Sequence, residues 1–127
     1  MRAVVADREV SVRRAITLLL THELSFQMVR EAATPSGLRR QVQRVRPDIL
    51  IVDWGLVTAG PVGLISILRG LCPGLRVLAL HVHEDVREVA LAAGADSFVG
   101  KGEGPGQVVR ALQTLCSTTV ISQGDVS

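Results

Sequence analysis

The chain has 127 residues, enough for one domain built on a single hydrophobic core. One Trp, two Phe and no Tyr argue against a ligand held mainly by stacking on aromatic rings. The formal charge is only +2, with acids and bases interspersed, so a pI near 8.9 does not amount to a nucleic-acid-binding stripe.

Ala3 to Ala6 is a short apolar run ending at Asp7, the pattern of a strand buried on both faces. Val12, Ala15, Ile16 and Leu19 then recur at helical spacing. Phe26 to Val29 is a weaker strand suited to a sheet edge, and Leu38, Val42 and Val45 give the thinner stripe of a second helix. Ile49 to Val52 is the most apolar strand and runs straight into Asp53. Leu64, Ile67, Leu68 and Leu71 mark a third helix, with Pro61 placed for its first turn. Leu75 to Leu80 is a fourth strand, ending at His81. Val86, Val89, Ala90 and Ala93 mark a fourth helix, which Gly94 is placed to end in a left-handed turn. Ser97 to Val99 is a last, edge-type strand before Lys101. Pro105 opens a fifth helix carrying Val108, Ala111, Leu112 and Leu115.

Strand and helix thus alternate through five repeats. Right-handed crossovers make this an α/β fold, a doubly wound five-stranded parallel sheet with five helices on its two faces. Ligands of such sheets gather at the carboxyl ends of the central strands. That edge receives Asp7, Asp53, His81 and Lys101, each just after a different strand. A lone Asp there is usually a turn or cap residue. Two carboxylates and a lysine from three strands make a more specific set. A carboxylate is able to act as a nucleophile and form an acyl phosphate, and a lysine with a hard cation neutralises the charge on the transferring group.

The segments "VVAD" with "VRRAITLLL" behind it, "RPDILIVDWGL", "RVLALHVHED" and "ALAAGADSFVGK" carry a resemblance. In order and spacing they resemble the receiver domain of response regulators in two-component signalling, over residues 1–116. The resemblance implies a flavodoxin-like strand order 2-1-3-4-5. It implies Asp53 as phosphoacceptor, Asp7 as an acid of the pocket, and Lys101 as the lysine that contacts the phosphoryl group. It implies a sensor histidine kinase or other signalling protein as partner, Mg²⁺ as cofactor with Asp7 and Asp53 as ligands, and a homodimer face on the last two helices. It implies a switching domain rather than an enzyme, binding neither nucleic acid nor membrane itself. The tail "STTVISQGDVS", residues 117–127, resembles the linker that joins receivers to DNA-binding helix-turn-helix domains.

Four departures surround the pocket. Arg8 stands where the family has the second acid of its pair, a metal ligand, and is placed to pair with Asp53 or Asp7 in the cation's stead. Glu9 is placed to cap the first helix. His81 stands where a Thr or Ser binds the phosphate. Leu56-Val57 holds the place of a usual Met-Pro, Gly63 comes two residues late, and the start of the fourth helix is about two residues short. An alternative reading follows: a pseudo-receiver, an interaction module that signals without phosphorylation because Arg8 replaces a metal-ligand acid. A nucleotide-binding flavodoxin-like protein is disfavoured, since no Gly-rich loop follows the first strand and "GKGEGPG" lacks P-loop spacing.

The remaining candidates have plain readings. His22 ends a helix, where a cation is favoured. His81 and His83 alternate like metal ligands but lack a third partner. Arg39, Arg40, Arg44 and Arg46 read as a solvated face. Cys72 and Cys116 offer neither a disulfide framework nor metal spacing and read as buried thiols of a reducing compartment. With no signal peptide, lipidation motif or long apolar span, the expected location is cytoplasmic.

Overall fold

A computed structural model describes the backbone of residues 1–126 and the side chains of residues 1–116. The elements in chain order are β1 (Arg2–Ala6), α1 (Val10–His22), β2 (Met28–Ala32), α2 (Pro35–Val45), β3 (Ile49–Asp53), α3 (Trp54–Ala59), α4 (Leu64–Leu71), β4 (Arg76–His81), α5 (Arg87–Ala92), β5 (Ser97–Gly100) and α6 (Pro105–Val126). Single 3₁₀ turns at Glu84–Val86 and Lys101–Glu103 precede α5 and α6. The linker-like reading of residues 117–127 lies outside the residues whose side chains are described.

All five strands are parallel, in the order β2-β1-β3-β4-β5. Ile49, Leu50, Ile51 and Val52 of central β3 are fully buried, as a parallel sheet covered on both sides requires. Their side chains alternate between two cores. Leu50 and Val52, with Val4, Val77 and Ala79, pack under Leu38, Val42, Leu64, Leu68 and Ala90 from α2, α4 and α5. Ile49 and Ile51, with Val5, Leu78 and Leu80, pack under Ile16 and Leu20 of α1 and Val108, Leu112 and Leu115 of α6. A slip of one residue in any central strand would exchange the two sets.

The helix count differs from expectation: among the described residues there are six α-helices, not five. The added α3 starts directly at Trp54, where a loop was expected, because Trp54, Leu56 and Val57 all find burial there. Pro61 lies between α3 and α4 rather than in a first turn; Gly63, at φ 75°, is the residue that caps α4. The second strand comes two residues later than its apolar run, because Phe26 is buried beneath α1, its N–H donating to the Leu20 carbonyl. The fourth predicted stripe is only partly real: Ala90 is buried but Val89 is 61 % exposed. The 3₁₀ turn through Val86 winds three residues per turn, so a 3.6-residue count begun there is out of phase. Gly94 does take the left-handed turn, at φ 115°, and an added Cβ would lie 3.1 Å from both Ile65 and Arg69.

Polar brackets fix the remaining loops. The Asp96 carboxylate accepts from the Val77 N–H at 2.7 Å and from the Arg69 guanidinium at 2.6 Å, tying α4 and β4 to the start of β5. Leu50→Ala empties a site closed on all sides and is expected to cost about 2–5 kcal/mol. Leu18→Ala, at a position 57 % exposed, is expected to stay within about 0.5 kcal/mol of the parent. Urea midpoints of the two variants measure the contrast.

Candidate functional site

The register of the sheet builds the site. Ala6 is paired with Val52, Asp53 with Leu80, and His81 with Gly100. Asp7, Asp53, His81 and Lys101 therefore emerge together at the carboxyl edge. The Lys101 ammonium lies 2.7 Å from Asp7 Oδ2 and 3.1 Å from Asp53 Oδ1. Asp7 is the only buried charged residue among those described, at 1 % exposure. Its Oδ1 accepts from the Glu9 N–H at 2.9 Å. Burial would lower the Lys101 pKa, but the hydrogen bonds and negative charge of Asp7 and Asp53 outweigh it and hold the ammonium above its ordinary value of 10.5.

Asp53 is only partly buried, and Lys101 takes its Oδ1. The other oxygen, Oδ2, faces Gly55. A Cβ built on Gly55 would sit 2.9 Å from Asp53 Oδ2 and 3.9 Å from His81 Nε2. A side chain at position 55 would thus occupy the space in front of the carboxylate. His81 turns its Nε2 toward this space while Nδ1 accepts from the His83 N–H at 3.1 Å. The His83 ring lies 5.4 Å from that of His81, centroid to centroid, tilted by 44°, and the residue is exposed. No group of three His, Cys, Asp or Glu capable of holding a metal exists among the described residues.

Arg8 does not do what its sequence position suggested. No ion pair joins it to Asp7 or Asp53 among the described residues; its Nη2 instead donates to the Gly55 carbonyl at 3.5 Å. The reason is that Lys101 already neutralises the inner carboxylate oxygens, and Asp7 lies beneath the surface on which Arg8 sits. Glu9 occupies the cap position of α1, but its side chain makes no capping bond.

Three features were missed in the sequence. Gly55 follows Asp53 too closely for any periodicity to mark it. Arg13 donates to the main-chain carbonyls of Asp7 at 2.7 Å and Arg8 at 3.3 Å, with its Nε on Glu31 at 3.1 Å. Its partners lie on the preceding loop and on β2, so nothing local signals the role. Glu103 accepts from the Gly100 N–H at 2.6 Å and fixes the turn that presents Lys101. The Arg39, Arg40, Arg44 and Arg46 cluster is exposed, as is His22, consistent with their plain readings. Cys72 and Cys116 are free thiols; Cys72 is buried as expected, but Cys116 is only half-buried.

The Mg²⁺ implied by the resemblance finds a poor donor set. The ion prefers near-octahedral oxygen coordination, commonly one or two carboxylates with waters. Here Asp7 Oδ2 and Asp53 Oδ1 face an ammonium, and the Gly55 carbonyl faces a guanidinium. The residues present do not fit a divalent ion.

Comparison with known proteins places the chain. The family described as response regulator receiver domain matches residues 3–113. The chain belongs to this family: it is a receiver domain of the response regulators of two-component signalling. It is 28 % identical over 119 residues to the oxygen regulatory protein NreC of Staphylococcus epidermidis, covering 91 % of this chain and 54 % of that protein. It is 30 % identical over 117 residues to the transcriptional activator protein ExaE of Pseudomonas putida, covering 91 % and 55 %. The chain thus spans about half the length of the curated relatives it matches. The fold is shared with a LuxR-family two-component response regulator from Aurantimonas sp. SI85-9A1, at TM-score 0.79 and 23 % identity over 99 % of this chain and 98 % of that one. It is shared also with the isolated receiver domain of RcsB from Salmonella enterica serovar Typhimurium, at TM-score 0.79 and 20 % identity, covering 92 % and 88 %.

The Lys101 bridge has a pH signature. A lysine whose pKa is raised by folding contributes stability that is complete below the unfolded value of 10.5 and is lost as pH rises through the folded value. Lys101→Met is expected to remove that alkaline loss and, at pH 7, to cost about 3 kcal/mol by stranding the Asp7 charge. Adding Asp7→Asn is expected to recover part of the loss. Urea titrations at neutral and alkaline pH of the single and double variants measure both effects.

Proposed function

We propose that Asp53 is the phosphoacceptor of this receiver and that Asp7, Lys101 and His81 serve it. The single observation that carries this reading is the Lys101 ammonium held between two carboxylates from two other strand ends. Asp53 Oδ2 is the oxygen left for chemistry, since Lys101 engages Oδ1. It attacks the phosphorus of a phosphohistidine on a sensor kinase; the O–P bond forms as the N–P bond breaks and the electron pair returns to the donor imidazole. Lys101 then faces negative charge on both the acceptor and the transferred group. His81 Nε2 borders the same space and, since Nδ1 accepts from the His83 N–H, is the ring nitrogen left to donate to a phosphoryl oxygen.

The domain acts as a switch rather than a catalyst. Contacts to the new phosphoryl group bias Lys101 and His81 at the ends of β5 and β4, and so bias α5 and its flanking turns. The activity of any longer regulator, the kinase it meets and the residues 117–127 as a linker to an output domain are part of this proposal. So are a cytoplasmic location, the absence of nucleic-acid binding by the domain itself, and dimerisation. Among the described residues, no helix is long and apolar enough to cross a membrane.

Acetyl phosphate is a small donor that requires no kinase. Intact mass after its addition is expected to show one phosphoryl group on the parent chain, none on Asp53→Asn, and a slowed gain on Lys101→Met. A parent chain that stays unmodified under both acetyl phosphate and a panel of kinases, with or without divalent ions, would favour the pseudo-receiver instead.

A further inference from the structure

We propose that Arg8 is the resident cation of the pocket, and that Asp53 engages a tetrahedral oxyanion without a divalent ion. The inference rests on the phosphoacceptor reading of Asp53 and concerns what neutralises the incoming group. Three observations carry it.

The first is position. The Arg8 guanidinium donates to the Gly55 carbonyl, and Gly55 borders Asp53 Oδ2, the oxygen that Lys101 leaves open. Lys101 thus holds one oxygen of the carboxylate, and Arg8 bonds the main chain of the glycine that borders the other. The second is support. Arg13, anchored on Glu31, holds the carbonyls of both Asp7 and Arg8, so the Arg8 main chain is fixed although its side chain reaches solvent. The third is charge. An acid and a divalent cation together contribute one positive charge to their corner of a pocket. Arg8 contributes one positive charge alone, so exchanging the pair for the arginine leaves the field on the incoming anion unchanged in sign and formal amount. A guanidinium also offers a planar fork of donors matched to phosphoryl oxygens. Of the oxygens a metal would need, Asp7 Oδ2, Asp53 Oδ1 and the Gly55 carbonyl already face cations, which leaves Asp53 Oδ2.

Beryllofluoride, a tetrahedral phosphoryl mimic, is the probe. Its bound ¹⁹F resonances are followed on the parent chain in resin-treated, metal-depleted buffer and again with added Mg²⁺. The adduct is expected in both, with apparent affinities agreeing within about twofold. Arg8→Lys keeps the charge and is expected to retain metal-independent binding. Arg8→Asp is expected to weaken the adduct at least about tenfold in depleted buffer, with Mg²⁺ restoring it. An adduct on the parent chain that requires Mg²⁺, or one indifferent to Arg8→Asp in depleted buffer, overturns the role of Arg8 and leaves the phosphoacceptor reading standing. No adduct under either condition, with Asp53→Asn indistinguishable from the parent, overturns both.

Discussion

One ammonium between two carboxylates is the interaction on which the pocket depends. Asp7 and Asp53 leave neighbouring strands, β1 and β3, with like charge, and Asp7 is almost wholly removed from water. Without Lys101, their repulsion would be added to the desolvation of Asp7. The two contacts with Lys101, at 2.7 and 3.1 Å, are worth roughly 6 and roughly 5 kcal/mol of attraction at an effective dielectric near 20, before desolvation is subtracted. That subtraction is large for a buried pair, so the bridge is not a simple gain in stability. Its value lies in specification. The three groups meet only when β1, β3, β4 and β5 hold one register, and the same register fills the two cores.

The loops around the bridge are braced in the same manner. Arg13 fixes the turn after β1 through two carbonyls, and Glu31 and Thr17 complete its surroundings. Glu103 fixes the turn after β5, and Arg87 reaches the same side, with its guanidinium 3.9 Å from Glu103 and 4.9 Å from the centre of the Phe98 ring. Arg87 begins α5, so one side chain joins that helix to Phe98 and Glu103, on either side of Lys101. Asp53 is thereby joined to α5 through Lys101, the short main-chain turn that Glu103 holds, and Arg87.

The strands were legible because a doubly covered parallel strand has to be apolar on both faces, as "ILIV" is; their order came only with the resemblance to the receiver family. The site was legible for a related reason: residues that follow such strands all emerge at one edge, so Asp7, Asp53, His81 and Lys101 converge without any knowledge of loops. What was not legible depended on distant partners or on local winding. α3 is held by burial of Trp54, Leu56 and Val57, and six residues are too few to display a period. The phase of α5 was lost in a 3₁₀ turn. Phe26 looked like a strand residue because it is aromatic and buried, yet its burial comes from packing beneath α1. Arg13 finds its function through Glu31, 18 residues away. Arg8 was recognised as the anomaly, but the partner expected for it was a carboxylate, and Lys101 had already claimed those oxygens.

The Arg8–Gly55 contact is long, at 3.5 Å, and the side chain is exposed. Such a contact leaves the guanidinium able to turn to an anionic oxygen, since hydrogen bonds at functional sites commonly tighten only when the reacting group is bound. Ordering the guanidinium costs side-chain entropy, up to about 2 kcal/mol for arginine. A charge-assisted bond to an anionic oxygen, about 1.5–3 kcal/mol, is large enough to offset it, whereas a bond to a neutral carbonyl is not. The loose contact and the anion site are therefore two consequences of one energy balance. A cation carried by the chain also differs from a dissolved ion in its occupancy. A bound metal follows the free concentration by mass action, while Arg8 is present at every concentration. A receiver built this way would respond to its phosphoryl donor without a second, ionic condition on the response.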